Sequence, residues 1–219
     1  MGYGVNVELW GDYALFTRPE FKVERVSYDI ITPSAARGIL EAIYWKPAIK
    51  YMIDKIHVYN EPKFTNIRRN EISSKISSNE AKKLMEGNKT AKSYINTRDV
   101  IQQRASAIIR EPRYVIEAHF ELTDNAGPDD TEEKHYNILL RRLRKGQFFH
   151  QPCFGCREFP AHFRLIEEEI PASELTGEKD LGFMLYDMDF SDRENIVPMF
   201  FRARMENGTV DLDNIEIVR

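Results

Sequence analysis

From Tyr114 to Leu122 the chain reads Tyr-Val-Ile-Glu-Ala-His-Phe-Glu-Leu, placing Tyr114, Ile116, Ala118, Phe120 and Leu122 on one face and Val115, Glu117, His119 and Glu121 on the other. Alternation at period two specifies a strand, and its apolar face must be covered by other elements. Val5-Asn6-Val7-Glu8-Leu9-Trp10 alternates in the same way and continues toward Leu15 and Phe16 as a first strand. Thr32-Pro33-Ser34 then supplies a helix start with proline at the first helical position, and Lys46-Pro47 a stop. Within that helix Ala36, Ile39, Leu40 and Ile43 form the apolar stripe, while Arg37, Glu41 and Tyr44 fall on an adjacent, more polar one.

Met52 to Tyr59 alternates imperfectly and reads as a second strand. The segment from about Lys63 to Arg113 is rich in Ser, Asn, Lys and Arg and has no sustained period. It reads as a long excursion from the core, with a short helix near Ser78 to Met85. After the strand at Tyr114–Leu122, Asp130 stands three residues before Glu133 in a capping-box-like arrangement, and Gly146 ends a helix with a basic last turn. A fourth strand is expected from Arg157 to Ile166. The order is therefore βαββαβ, an α+β arrangement of the ferredoxin-like kind common among RNA-binding folds. Beyond about Ala172, the runs Leu181–Phe190, Val197–Met205 and Val210–Val218, with an Asn207-Gly208 turn, suggest a small C-terminal antiparallel β domain. The expected division is 1–170, with an insertion at about 63–112, and 171–219.

The formal net charge of −4 argues against a protein that coats nucleic acid through its overall field. RNA binding would have to use local patches: Arg68 with Arg69, and Arg141, Arg142 and Arg144 with Lys145, the latter in part a response to a helix dipole. Only a weak contact with duplex DNA fits that balance. Cys153 and Cys156 are too few for a disulfide framework and supply at most half a zinc site, and Pro152 and Gly155 mark a turn there rather than the helix a redox motif needs. No metal or other cofactor is expected. The apolar runs are shorter than a bilayer span and no charged-then-apolar leader is read, so a cytoplasmic protein is expected.

Five stretches, in this order along the chain, resemble the d variant of the Cas-five family of CRISPR-associated proteins, the repeat-processing endoribonucleases of subtype I-C. They are Gly11-Asp12-Tyr13-Ala14-Leu15-Phe16-Thr17, Ile43-Tyr44-Trp45-Lys46-Pro47, Ala118-His119-Phe120, Gly155-Cys156-Arg157-Glu158 and Met205-Glu206-Asn207-Gly208. The resemblance implies a ferredoxin-like (RRM-like, RAMP-type) domain with a small C-terminal β domain. It also implies sequence-specific, metal-independent cleavage of precursor CRISPR RNA within the repeat, by attack of the RNA's own 2′-hydroxyl, with the product's 5′ handle retained. The implied partners are CRISPR RNA and the backbone and large subunits of the type I-C effector complex.

In the family pattern a tyrosine at the end of the first helix acts with a lysine and a histidine on the central strand. Tyr44 and His119 match, and the aligned lysine position holds Glu117, which cannot stabilise phosphorane charge. Lys46 is the cation favoured in its place, with Arg104 and Arg113 as other candidates. His119 titrates in a range suited to proton transfer near neutrality, whereas an unperturbed phenol such as Tyr44 stays protonated and suits hydrogen bonding to the phosphate or orienting the nucleophile. Candidate RNA contacts are Arg37, Arg68, Arg69, Arg104, Arg141, Arg142, Arg144 and Arg157. The alternative is a non-catalytic subunit that binds the CRISPR RNA handle, which Glu117 favours; Tyr44 and His119 favour the enzyme.

Overall fold

The computed structural model describes residues 3–21, 23–88, 90, 94–192 and 194–219. In chain order it contains β1 (Gly4–Trp10), β2 (Tyr13–Ala14), β3 (Arg25–Val26), α1 (Pro33–Ile43), β4 (Ile49–Val58), β5 (Lys63–Ile72), α2 (Ser78–Met85), α3 (Thr97–Val100), β6 (Ile101–Arg110), β7 (Arg113–Leu122), α4 (Glu132–Lys145), β8 (His162–Ile166), β9 (Glu178–Asp189), β10 (Val197–Glu206), β11 (Thr209–Asp211) and β12 (Ile217–Val218). It is a mixed α+β structure built on antiparallel sheets. No helix is long and apolar enough to cross a membrane among the described residues.

The strand at Tyr114–Leu122 is central. β7 pairs antiparallel with β4 on one side and β1 on the other, and β8 pairs with the far side of β1. Tyr114, Ile116, Ala118 and Phe120 are buried in one cluster with Val5, Val7 and Leu9 of β1, Ile39, Leu40 and Ile43 of α1, and Leu139 and Leu143 of α4. Fully buried aliphatic side chains of this kind contribute roughly 1.5–3 kcal/mol each. α1 starts where proline and the threonine cap require, with Thr32 Oγ1 accepting from Ala35 N at 3.2 Å.

One local expectation is explained and two are corrected. The imperfect alternation of β4 comes from a bulge: the register against β7 shifts between Ile53 and Lys55, so Tyr51, Ile53, Ile56 and Val58 are all buried although their spacing breaks period two. The cap of α4 is Thr131, whose hydroxyl accepts from Lys134 N at 3.2 Å, and Asp130 is left to turn toward other partners. β8 begins at His162 rather than at Arg157, because Cys153 bridges Pro160 and the intervening residues turn. That turn is pinned beneath the start of the chain by Leu15 N donating to Phe154 O at 3.0 Å.

The long excursion is regular where irregularity was expected. β5 and β6 pair in unbroken register from Lys63↔Arg110 to Ile72↔Ile101, and the helix at Ser78–Met85 lies in the connection. Its sequence hides this because β5 has no buried face: its residues alternate between exposed and half-buried, so no apolar period is needed. At the other end of the chain, Asn207 and Gly208 both take positive φ (48° and 77°) and turn β10 into β11. β11 then pairs with β4, so the C-terminal strands β9 to β12 continue the main sheet.

Candidate functional site

Tyr44 is the C-cap of α1, with extended backbone (φ −150°, ψ 120°), so the helical stripe that would have kept it polar no longer applies to it. It is 3% exposed, contrary to its expected place on the polar side of the helix. Its hydroxyl lies 2.7 Å from His135 Nδ1, its carbonyl accepts from Tyr51 Oη at 2.8 Å, and the Arg142 guanidinium stands 5.2 Å over its ring while donating to Ile43 O at 2.6 Å. Burial pushes the Tyr44 phenol above its ordinary value, so it remains protonated at neutral pH. A protonated phenol can donate to Nδ1 or accept from it, so the pair is joined by one hydrogen bond in either tautomer of the imidazole.

His135 was not singled out from sequence. It is 1% exposed and stands on the buried stripe of α4, at i and i+4 with Leu139. Its Nε2 lies 3.2 Å from Asp130 Oδ1, within ion-pair distance but without hydrogen-bond alignment. Asp130 is held below the usual carboxylate range first by the Gly127 N–H and then by the Lys134 ammonium. Tyr44, Lys46, Pro47, Ala48, Asn125, Asp130, Lys134, His135 and Ile138 line one open cleft of about 470 Å³. It therefore brings together a phenol, an imidazole, a carboxylate and two ammonium groups.

His119 is elsewhere. Alternation along β7 puts Ala118 and Phe120 on the helix-covered face and His119 on the opposite one, where its Nδ1 meets Asp54 at 2.8 Å. Glu117 shares that face and is bound to His57 Nε2 at 2.6 Å, with His57 Nδ1 3.1 Å from Thr209 Oγ1. The two sequence candidates Tyr44 and His119 are thus separated by the sheet, while Tyr44 and Lys46 share a cleft.

The arginines divide into two groups. Arg37 is bound to Asp187 at 2.7 Å and Glu41 at 3.2 Å, Arg69 to Glu158 at 2.5 Å, Arg144 to Glu167 at 2.6 Å, and Arg104 contacts Gln102 at 3.2 Å. Arg142 is committed to the end of α1, as described. Arg113 and Arg164 both bind the buried Glu8 carboxylate beside Trp10, in a separate concavity on the open face of the sheet. Arg68, Arg141 and Arg157 are exposed, as is Lys46, and none has an ion-pair partner among the described residues. Cys153 and Cys156 are free thiols.

Comparison with known proteins adds three kinds of finding. The sequence profile of the family described as CRISPR-associated protein (Cas_Cas5), Cas5d type, matches residues 4–213. The chain is 49% identical over 217 residues to the CRISPR pre-crRNA endoribonuclease Cas5d of Mannheimia succiniciproducens, covering 97% of this chain and 96% of that one. It is 36% identical over 225 residues to the protein of the same name from Thermus thermophilus, covering 95% and 90% respectively. Among solved structures, the fold is similar to a crystal structure of a CRISPR-associated protein, with a TM-score of 0.71, 22% identity and coverage of 99% and 96%. A chain of a CRISPR RNA-guided surveillance complex aligns with a TM-score of 0.51 and 11% identity over 98% and 89% of the two chains.

Proposed function

The chain belongs to the Cas5d family of CRISPR-associated proteins, and from that premise we propose that it cuts precursor CRISPR RNA within the repeat, by a metal-independent attack of the RNA's 2′-hydroxyl on the adjacent phosphate. Both curated relatives are named as pre-crRNA endoribonucleases and match nearly end to end. The observation that carries the site is an open cleft lined by both Tyr44 and Lys46, with the Tyr44 hydroxyl 2.7 Å from the His135 imidazole. Such cleavage needs a group to take the 2′ proton, a group to protonate the departing 5′ oxygen, and positive charge for the phosphorane. In this reading Tyr44 meets the 2′-hydroxyl, and the Lys46 and Lys134 ammonium groups that line the same cleft supply charge.

The βαββαβ order, with its strands lying side by side as β8-β1-β7-β4 in an antiparallel sheet, supports a ferredoxin-like reading of the RRM and RAMP kind. We divide the chain functionally at about residue 170, with the β5–β6 hairpin as an insertion and residues 171–219 as a small β unit. The exposed Arg68, Arg141 and Arg157 are the phosphate contacts favoured by their lack of competing carboxylates, and the product stays bound as the handle of a type I-C effector complex in the cytoplasm. A second reading, a handle-binding subunit without catalysis, is favoured by Glu117, which stands where the sequence resemblance leads one to expect a lysine and is bound to His57.

Incubation with the cognate repeat RNA in excess chelator separates the two. Cutting that survives the chelator, leaves a 2′,3′-cyclic phosphate and disappears when the scissile nucleotide is 2′-deoxy is the expected result. Tight binding with no cutting would establish the second reading instead.

A further inference from the structure

Beyond the cutting reaction, and resting on RNA as the substrate, we propose that the open face of the sheet carries a stacking platform for unpaired RNA, on which a base lies against Trp10 while Arg113 and Arg164 meet a phosphate.

The strand register sets four planar side chains in one row. Trp10 of β1 is paired with His162 of β8 on one side and with Arg113 of β7 on the other. Tyr59, the residue after β4, continues the row, its N–H donating to Arg113 O at 3.0 Å. Val7 and Leu9 lie in the core, so Glu8 and Trp10 belong to the opposite face. The His162 ring stacks on the indole with centroids 5.7 Å apart and planes 25° apart, and the Arg113 guanidinium lies 5.4 Å from the centre of the Tyr59 ring. The indole remains 37% exposed.

Glu8 is 4% exposed although it points away from the helices. A carboxylate is costly to bury unless it is paired, and here both oxygens are taken by arginines of this face: Oε1 accepts from Arg113 Nε at 2.8 Å and Oε2 from Arg164. The result is two guanidiniums held in fixed positions on side chains that are still 48% and 65% exposed, each with more N–H donors than Glu8 accepts. They wall a concavity of about 570 Å³, and a second of about 260 Å³ continues it past Tyr59. The larger falls within the range of small-ligand sites, about 300–1,000 Å³. Glu111 also lines it, so two carboxylates stand against two guanidiniums and there is no excess field to hold a duplex. Planar surface with fixed donors beside it suits a single-stranded nucleotide instead, because every base has a π face and both aromatic rings and guanidinium planes stack on it.

Arg113 opens β7, and Leu122 closes it beside the Tyr44 cleft, where Thr123 N donates to Ala48 O. At roughly 3.4 Å per residue that strand spans about 30 Å. The platform therefore holds RNA several nucleotides from the cleft and contributes to binding without touching the reacting atoms.

The sequence has two tryptophans, so Trp45→Phe leaves Trp10 as the reporting indole. Repeat RNA made resistant to cutting by a 2′-deoxy scissile nucleotide should quench Trp10 fluorescence on binding, and a fully base-paired RNA of the same length should not. Trp10→Ala should weaken RNA binding by about 10-fold or more, as for loss of one stacked base, and Trp10→Phe should restore most of it. Arg164→Ala should weaken binding and lower the salt dependence by about 0.7 of a power of salt concentration, the share of one phosphate on a single strand. Single-turnover cleavage at saturating protein should be unchanged in all three. Silent Trp10 fluorescence with unchanged affinity in Trp10→Ala would overturn the platform and leave the concavity to a protein contact. A loss that Trp10→Phe does not restore, with a lower denaturation midpoint, would make Trp10 structural and overturn it too. An unmodified chain that binds no repeat RNA overturns the proposed function with the platform, whereas one that binds and cuts it with Trp10 silent overturns the platform alone.

Discussion

Ala118, His119 and Phe120 are consecutive residues with different tasks: the first and third seat the helices, and the second meets Asp54 on the open face. That division was legible in the sequence, because period two fixes which face each side chain takes. The sequence did not show that the Tyr44 cleft lies on the helix-covered face, where His119 does not reach. Tyr44 leaves the helical path at the residue where the stripe argument would have made it polar. His135 was legible in principle, since it heads the stripe that runs through Leu139 and Leu143, and a histidine at a core position requires buried partners. Gly155 makes a prediction at this scale. Its φ is +82°, and a Cβ would collide with the Leu15 carbonyl oxygen. Gly155→Ala should cost about 2 kcal/mol or more, read as a lower denaturation midpoint with an unchanged slope.

At the scale of elements, the strands with a buried face and the capped helices could be read from their periods, and the β5–β6 hairpin could not. β5 is exposed or half-buried along its whole length and so has no apolar period to detect, and its order comes from the backbone ladder with β6 together with ion pairs to the body. Arg25 binds Glu71 at 2.8 Å, and Arg69 binds Glu158 at 2.5 Å beside the 153–160 turn. The Arg25 hydrogen bond holds Glu71 below the usual carboxylate range. A depressed folded-state pKa means that the contribution is fully present above the unfolded value of about 4.3 and is lost as pH falls through the folded one. Protection of the β5 and β6 amides relative to their intrinsic exchange rates should therefore fall as pH drops through the folded Glu71 pKa, and Arg25→Ala should shrink that acid step. An acid step that persists unchanged in the variant would contradict this account of the hairpin base.

For the whole molecule, net charge and the α+β class were legible, and the joining of the C-terminal strands to the main sheet through β11 was not, because a three-residue strand gives too little pattern to assign a partner. With a net charge of −4 there is no overall field to draw RNA in, and the unpaired cations are our proposed contacts. The structure separates those from the arginines already bound to Glu41, Asp187, Glu158 and Glu167. It also leaves two faces that could have held the chemistry, one with His119 and one with Tyr44, and our central claim is that the Tyr44 cleft is the cutting site. The direct test is the single-turnover rate of repeat RNA cleavage in chelator for Tyr44→Phe and His119→Ala side by side. The account predicts a loss of about 10²–10⁴-fold for Tyr44→Phe, as for removal of a group that moves a proton, and less than about 10-fold for His119→Ala. The reverse ranking would place the reaction on the open face of the sheet and contradict the account.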